Sequence, residues 1–221
     1  MCAIARRKGV VTVIDGAHAP GMLPLDVSAI NADYYTANCH KWLLAPSASG
    51  FLAIGPGNED RLEPLEVSWG YHHPRQNLDA RDEFGSTRRI RNLEFEGTRD
   101  ICPWLVSPEV IDFQKELGWD AIRERMHELS TYARHVIGDN LGLPAATPMN
   151  PKMHGELTAF RLPDGIHPQK LRDAIWAHRI ETPIIERPDR TLIRISGHFY
   201  TTMEEIDRLA EILPGAIAAA M

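Results

Sequence analysis

Apolar spacing divides the chain into strand-like and helix-like stretches. Gly9-Val10-Val11-Thr12-Val13-Ile14 is a continuous β-branched run, the pattern of a parallel strand buried on both faces. Asp33 to Ala37 reads as a second short strand, and Gly50 to Ile54 as a third, closed by Gly55-Pro56-Gly57. Val27 to Ala32 is long enough only for a helical turn. Ser107-Pro108-Glu109 carries a helix start, with serine as N-cap and proline at the first helical position, and predicts a helix to about Leu117 that stops at Gly118. Asp120 then caps a helix whose Ile122, Met126, Leu129, Ala133 and Val136 recur at three- and four-residue spacing, with Gly138 as its end. Further on, Leu157 to Leu162 alternates like a strand, Pro168 opens a helix with Leu171, Ile175 and Trp176, and Ile180 to Ile185 and Thr191 to Ile195 read as strands. Thr202 and Glu205 form a capping box on a last helix that buries Ile206, Leu209 and Leu213.

This order predicts an α/β fold: a large, mostly parallel α/β domain over residues 1–140, then a small α+β domain over 141–221. The segment Leu141 to Gly155, with Pro144, Pro148 and Pro151, is the expected boundary. Residues 57–100 are polar and long for a connection, with Trp69, Tyr71, His72, His73 and the basic run Arg88-Arg89-Ile90-Arg91. A segment of this length in a compact domain is usually a binding loop, an interface arm or disordered.

Composition narrows the function classes. With 24 basic and 30 acidic residues the net charge is −6, which argues against a nucleic-acid footprint. No apolar run is long enough to span a bilayer, so no membrane partner is expected. Met1 to Lys8 places its charges after its apolar residues, the reverse of a secretory leader. Cys2, Cys39 and Cys102 are odd in number and form no C-x-x-C pair; a reducing, cytoplasmic setting is expected.

Candidate chemistry concentrates where two of these strands end. Asp15-Gly16-Ala17-His18-Ala19-Pro20-Gly21 follows the first, and Asn38-Cys39-His40-Lys41-Trp42 follows the second. In open α/β sheets ligands bind outside the carboxyl ends of strands. A lone His-Lys pair is most often a surface feature, but apolar Trp42, Leu43 and Leu44 would desolvate Lys41, and desolvation favours the neutral, nucleophilic amine. Asp15, 26 residues earlier, could hold a pyridine nitrogen protonated, or simply cap its own loop. His18 could donate to a phenolic oxygen or bond nearby backbone, and His40 could contact a phosphate. As a metal site, Asp15-x-x-His18 finds no third ligand at convincing spacing, His40 included, so no metal is expected.

Val13-Ile14-Asp15-Gly16-Ala17-His18-Ala19-Pro20-Gly21, followed by Asn38-Cys39-His40-Lys41-Trp42-Leu43, resembles the pyridoxal-phosphate (PLP) enzymes of the class V aminotransferase family, of fold type I. Glu96-Gly97-Thr98-Arg99-Asp100 and Leu192-Ile193-Arg194-Ile195-Ser196 are similar to two further signatures of its isopenicillin N epimerase-like branch. The resemblance implies pyridoxal 5'-phosphate as cofactor and a small-molecule α-amino acid as substrate, processed by epimerisation, transamination or elimination. It implies a Schiff base at Lys41, a pyridinium partner in Asp15, a phenolate contact from His18 and phosphate contacts from His40 and Asn38, although relatives often carry a hydroxyl residue at Asn38. Gly97 and Thr98 would serve the cofactor of a neighbouring subunit in a homodimer, making residues 57–100 the dimer arm. Arg194 would clamp the substrate carboxylate, where a guanidinium can bond bidentately; as a strand residue alone it reads more readily as an outward-facing polar side chain.

Enzymes of this family extend further at the N-terminal side, so the chain resembles their C-terminal portion. A partner carrying the other half, or a non-catalytic remnant, is the alternative. Sulfur-removing members that use a late cysteine nucleophile are not matched, because no cysteine follows Cys102.

Overall fold

The computed structural model describes residues 1–68, 71, 77–81, 85–94, 96–150 and 152–221; expectations resting on Trp69, His72 and His73 lie outside the described residues. Two compact units form, Met1–Phe113 and Gln114–Met221. The proline-marked segment 141–155 falls inside the second, because Ile137, Leu143 and Phe160 on either side of and within it share one buried core.

In the first unit, α1 (Cys2–Arg7) precedes β1 (Val13–Asp15), α2 (Val27–Ile30), β2 (Tyr34–Asn38) and β3 (Gly50–Ile54). The three strands form one sheet in the order β1-β2-β3. β1 and β2 are parallel, joined by a crossover containing α2, whereas β2 and β3 are antiparallel. The connection of residues 39–49 is too short for the dozen or more residues that a parallel return requires. The sheet is therefore mixed here rather than mostly parallel. β1 is shorter than its β-branched run, and Val10, Val11 and Val13 are exposed, because only β2 pairs with it among the described residues. Cys2, Ala32, Tyr35 and Ala37 form a small core on one face, with Ile14, Leu25, Val27 and Ile30 packed against it. The helix α1 carries no side-chain cap and was not foreseen.

Register is pinned at the start of both parallel strands. Thr12 donates through its amide and its hydroxyl to Oδ2 of Asp33, each at 2.8 Å, and the Asp33 amide donates back to the Thr12 hydroxyl at 2.9 Å. These bonds, the Thr12 amide foremost, hold the Asp33 carboxyl below the usual carboxylate range. They set Val13 opposite Tyr34 and Asp15 opposite Thr36, so both strands start at the same level and β2 runs on past the end of β1 to Asn38.

Residues 57–100 contain a short 3-10 turn (Glu59–Arg61) and the helix α3 (Arg88–Glu94). α4 (Cys102–Leu105) begins before Ser107, so that serine is no cap: its hydroxyl donates to the Pro103 carbonyl from within a chain that is already helical. α5 (Ser107–Leu117) ends at Gly118, as expected.

The second unit holds α6 (Trp119–Ala133), which continues as a π-type turn over Arg134–Asp139. Gly138 does not stop the helix; a Cβ there would stand 3.2 Å from the Phe160 ring, so the glycine serves close packing instead. β4 (Leu157–Arg161), α7 (Pro168–Trp176), β5 (Ile184–Arg187), β6 (Arg190–Ser196) and α8 (Met203–Ala220) follow, and the antiparallel sheet runs β4-β6-β5. Met126, Leu129, Ala133, Leu171, Ile193 and Leu213 are fully or almost fully buried. The Thr202–Glu205 capping box forms in both directions. Among the described residues no helix is long and apolar enough to cross a membrane.

A buried acid lies in this unit. Glu156, 6% exposed, has an Oε2 without a hydrogen bond, 3.5 Å from Nδ1 of His127, whose ring stacks on His154. Burial pushes the Glu156 carboxyl up to about 7 and, together with His154 and Arg134, pushes the His127 imidazolium down. Because the folded state prefers the protonated acid, the contribution of Glu156 to stability is fully present below the unfolded value of 4.5 and is lost as pH rises through about 7. The shift is worth about 3 kcal/mol above that range. Thermal melts at pH 5.5 and pH 8 are expected to differ in the wild type, and Glu156→Gln is expected to remove most of the alkaline loss.

Candidate active site

The first candidate loop is built on contacts that exclude side chains. At the end of β1 the Gly16 amide donates to the Thr36 carbonyl at 2.8 Å and the Ala17 amide to Oδ1 of Asp15 at 2.9 Å. Gly16 lies against the Tyr35 phenol: a Cβ there would be 2.0 Å from the hydroxyl oxygen. Tyr35 is itself 3% exposed, and burial first, Asp15 second, raises its pKa, so it stays a neutral phenol. Gly21, at φ +83, lies over the backbone of the second loop, where its Cβ would meet the Trp42 carbonyl oxygen at 2.3 Å. The two glycines thus let loop 15–21 rest directly on β2 and on the turn that follows it.

That turn carries the lysine. The Cys39 amide donates to the Ser49 carbonyl and the Ala45 amide returns to Cys39, each at 3.0 Å, folding residues 39–49 into a compact reversal. Leu44 takes a left-handed φ of +66 within it, a conformation that costs a non-glycine residue about 1 kcal/mol or more. Trp42 and Leu43 are buried, and Lys41 between His40 and Trp42 is half-buried.

Side chains from the two loops meet. Nζ of Lys41 stands 3.3 Å from Nε2 of His18, and the Trp42 indole donates to Nδ1 of the same histidine at 3.1 Å. Asp15, Gly16, Ala17, His18, Ala19, Met22 and Lys41 line an open cleft of about 370 Å³. Within it stand a carboxylate, an imidazole and a primary amine. His40 lies beside this cluster with its ring fixed, Nδ1 2.8 Å from the Ser49 carbonyl. A carbonyl only accepts, so Nδ1 carries the hydrogen and Nε2 donates to an anion only in the imidazolium form.

The remaining expected site residues lie elsewhere. Asn38 lines a second cavity, of about 740 Å³, with Phe51, Arg99 and Trp104, where the Arg99 guanidinium sits 4.0 Å over the Trp104 ring. Gly97, at φ +112, approaches Ser68; Thr98 is exposed, and neither lines either cavity. Arg194 belongs to the second unit, on β6 between the buried Ile193 and Ile195. Its Nε is buried without a hydrogen bond and it forms no ion pair among the described residues.

The sequence did not announce Tyr35, Gly21 or the polar role of Trp42. A tryptophan next to a lysine signals only apolar cover until the fold shows where its N–H points. The cysteines stay outside the chemistry: burial raises the Cys39 thiol, and the Asp100 carboxylate raises that of Cys102.

Comparison with known proteins places this architecture. A family model described as Aminotransferase class-V matches residues 1–209. Isopenicillin N epimerase of Streptomyces clavuligerus is 51% identical over 216 residues, covering 96% of this chain and 54% of that protein. L-cysteine desulfhydrase of Arabidopsis thaliana is 29% identical over 236 residues, covering 95% of this chain and 48% of that protein. Among solved structures, the apo cysteine desulfurase from Thermococcus onnurineus NA1 superposes with a TM-score of 0.75 at 22% identity, over 98% of this chain and 55% of that one. A C-DES mutant with glycine covalently linked to its PLP cofactor gives 0.73 at 21%, over 96% and 54%. The chain spans about half the length of the relatives it matches.

Proposed function

The chain belongs to the class V aminotransferase family, and from that premise we propose that it supplies the lysine-bearing half of a PLP-dependent enzyme acting on an α-amino acid. The observation that carries this reading is the convergence of Lys41, His18 and Asp15 on one cleft, with Nζ and Nε2 3.3 Å apart.

The donor set fits the cofactor's ring end. Asp15 spends one oxygen on the Ala17 amide, and Oδ2 has no hydrogen-bond partner among the described residues, leaving it to pair with a protonated ring nitrogen. His18 offers a donor to a phenolic oxygen, and Lys41 the amine for an aldehyde. For the phosphate the chain offers His40, which neighbours Lys41 in sequence, lies outside the lining of the cleft and donates from Nε2 only as the imidazolium; Asn38 assists only as far as its place beside the second cavity allows. When bound, PLP supplies an aldehyde that condenses with amines and a protonated ring that withdraws electrons from the substrate's α-carbon.

Lys41 then has two tasks: to hold the cofactor before substrate arrives, and to take and return the α-proton once its amine is released. Its place in the cleft beside His18 suits the second. Asp15 keeps the ring nitrogen charged. Arg194 receives the substrate carboxylate with a guanidinium that no carboxylate of the described residues neutralises. Gly97 and Thr98 serve a neighbouring subunit's cofactor in a homodimer. Epimerisation, as in the relatives of about 50% identity, is the first reading of the outcome; transamination and elimination start from the same proton transfer.

A second reading follows from length. Since the relatives are nearly twice as long, the chain could act as partner to a polypeptide bearing the other half, or as a non-catalytic remnant of the fold. One titration separates the readings. Added PLP is expected to produce a near-ultraviolet to visible band that borohydride removes. A band only after a complementary half is supplied would support the partner form, and none under either condition would overturn the assignment.

A further inference from the structure

We propose that Trp42 is a positioning residue whose indole N–H fixes His18 as the tautomer with its hydrogen on Nε2, directed beside Nζ of Lys41. An indole nitrogen donates and never accepts, so the 3.1 Å bond to Nδ1 takes that nitrogen's lone pair. Nδ1 therefore carries no hydrogen, and the neutral ring's hydrogen sits on Nε2. Trp42 is 5% exposed, so neither its bond nor its position is open to exchange with bulk water.

The contrast with His40 shows that the choice is specific to the site. His40 gives its Nδ1 hydrogen to the Ser49 carbonyl, which leaves Nε2 as the acceptor of the neutral ring. The two histidines near Lys41 are thus held in opposite tautomers. Had His18 faced a carbonyl as His40 does, its Nε2 would accept from the Lys41 ammonium and could offer nothing to an oxygen anion. As built, Nε2–H lies 3.3 Å from Nζ: a neutral Lys41 amine accepts it, and where Nζ carries its proton an oxygen bearing negative charge suits both donors. Protonating the ring at Nδ1 would require breaking the Trp42 bond, so Trp42 also opposes a second hydrogen on His18, which shares the cleft with Lys41 and Asp15.

The tautomer rests on the protein's own geometry; identifying the acceptor as the phenolic oxygen of PLP rests on the proposed function. Two measurements on the full chain keep them apart. In protein labelled with ¹⁵N-histidine, without cofactor, long-range ¹H–¹⁵N spectra are expected to show His18 with hydrogen on Nε2 and a bare, hydrogen-bonded Nδ1. Hydrogen on Nδ1 would overturn the proposal, whatever any variant does. In Trp42→Phe the His18 signals are expected to become an average of tautomers. With the ring then free to protonate beside the lysine nitrogen, the pH midpoint of the PLP band should fall by about one unit, a tenfold change in proton affinity. Unaltered ring signals in a folded Trp42→Phe protein would count against Trp42. If PLP gives no band at all, the cofactor assignment fails, and the wild-type ring spectrum still decides the tautomer.

Discussion

On the proposed function, Lys41→Ala is expected to eliminate the visible band formed on adding PLP and to lower turnover of an α-amino acid by the completed enzyme by about two to four orders of magnitude, the usual worth of a positioned acid–base group. The loss is expected to be specific, because the role proposed for the lysine is chemical. Its aliphatic stem is only half-buried, it forms no ion pair among the described residues, and its amine meets His18. Removing it leaves the Cys39–Ser49 reversal and both glycine contacts in place, so the melting temperature should stay close to that of the wild type. A large drop in stability would mean that Lys41 is structural and that the loss of activity says little about chemistry.

Gly21→Ala has the opposite signature, a loss of stability that carries the site with it. The added Cβ would sit 2.3 Å from the Trp42 carbonyl oxygen and 2.8 Å from the Leu43 amide nitrogen, both backbone atoms with no freedom to swing away, and at a φ of +83 an L side chain is strained before it touches anything. Left-handed strain of about 1–2 kcal/mol and overpacking of about 1–3 kcal/mol together predict a loss of roughly 2–5 kcal/mol. That is a large share of the stability of an ordinary domain. Chemical denaturation measures the loss. Any protein that still folds should bind PLP poorly, because lifting loop 15–21 off Trp42 separates His18 from Lys41. Wild-type stability in this variant would show that the two loops do not rest on one another as described.

The parts of the fold that were legible in the sequence are those set by local chemistry. The Thr202–Glu205 capping box, the stop at Gly118 and the start at Pro168 each depend on a few neighbouring residues and appear where those residues lie. Expectations failed where a distant partner decided the outcome. The β-branched run at Val10 to Ile14 signalled a strand buried on both faces, yet pairing on one side alone leaves Val13 exposed. Gly138 looked like a helix stop because its contact with Phe160, 22 residues away in sequence, is invisible in one dimension. The same division runs through the site. Asp15, His18 and Lys41 were readable from their places at strand ends, but the fixed ring of His18 depends on a tryptophan whose spacing suggested only packing. Asn38 was read with its neighbour His40, although alternation along β2 turns it toward the second cavity with Thr36 and Phe51.

The parallel pairing of β1 and β2 explains why two short loops suffice to assemble the cleft. The Thr12–Asp33 bonds fix where the strands begin, the parallel ladder sets Asp15 opposite Thr36 beside the turn that follows β2, and the glycines at 16 and 21 remove the bulk that would hold the loops apart. Position in the sheet and absence of side chain together bring an acid, an imidazole and an amine from separate stretches into one cleft.

The most direct test of the account is to locate the cofactor's attachment. The chain has five lysines, Lys8, Lys41, Lys115, Lys152 and Lys170. After incubation with PLP, borohydride reduction and proteolysis, mass spectrometry should find the phosphopyridoxyl group at one site, on the peptide containing Lys41. Labelling spread over the other four lysines, with Lys41 unmodified, would contradict the claim that this cleft is a pyridoxal-phosphate site.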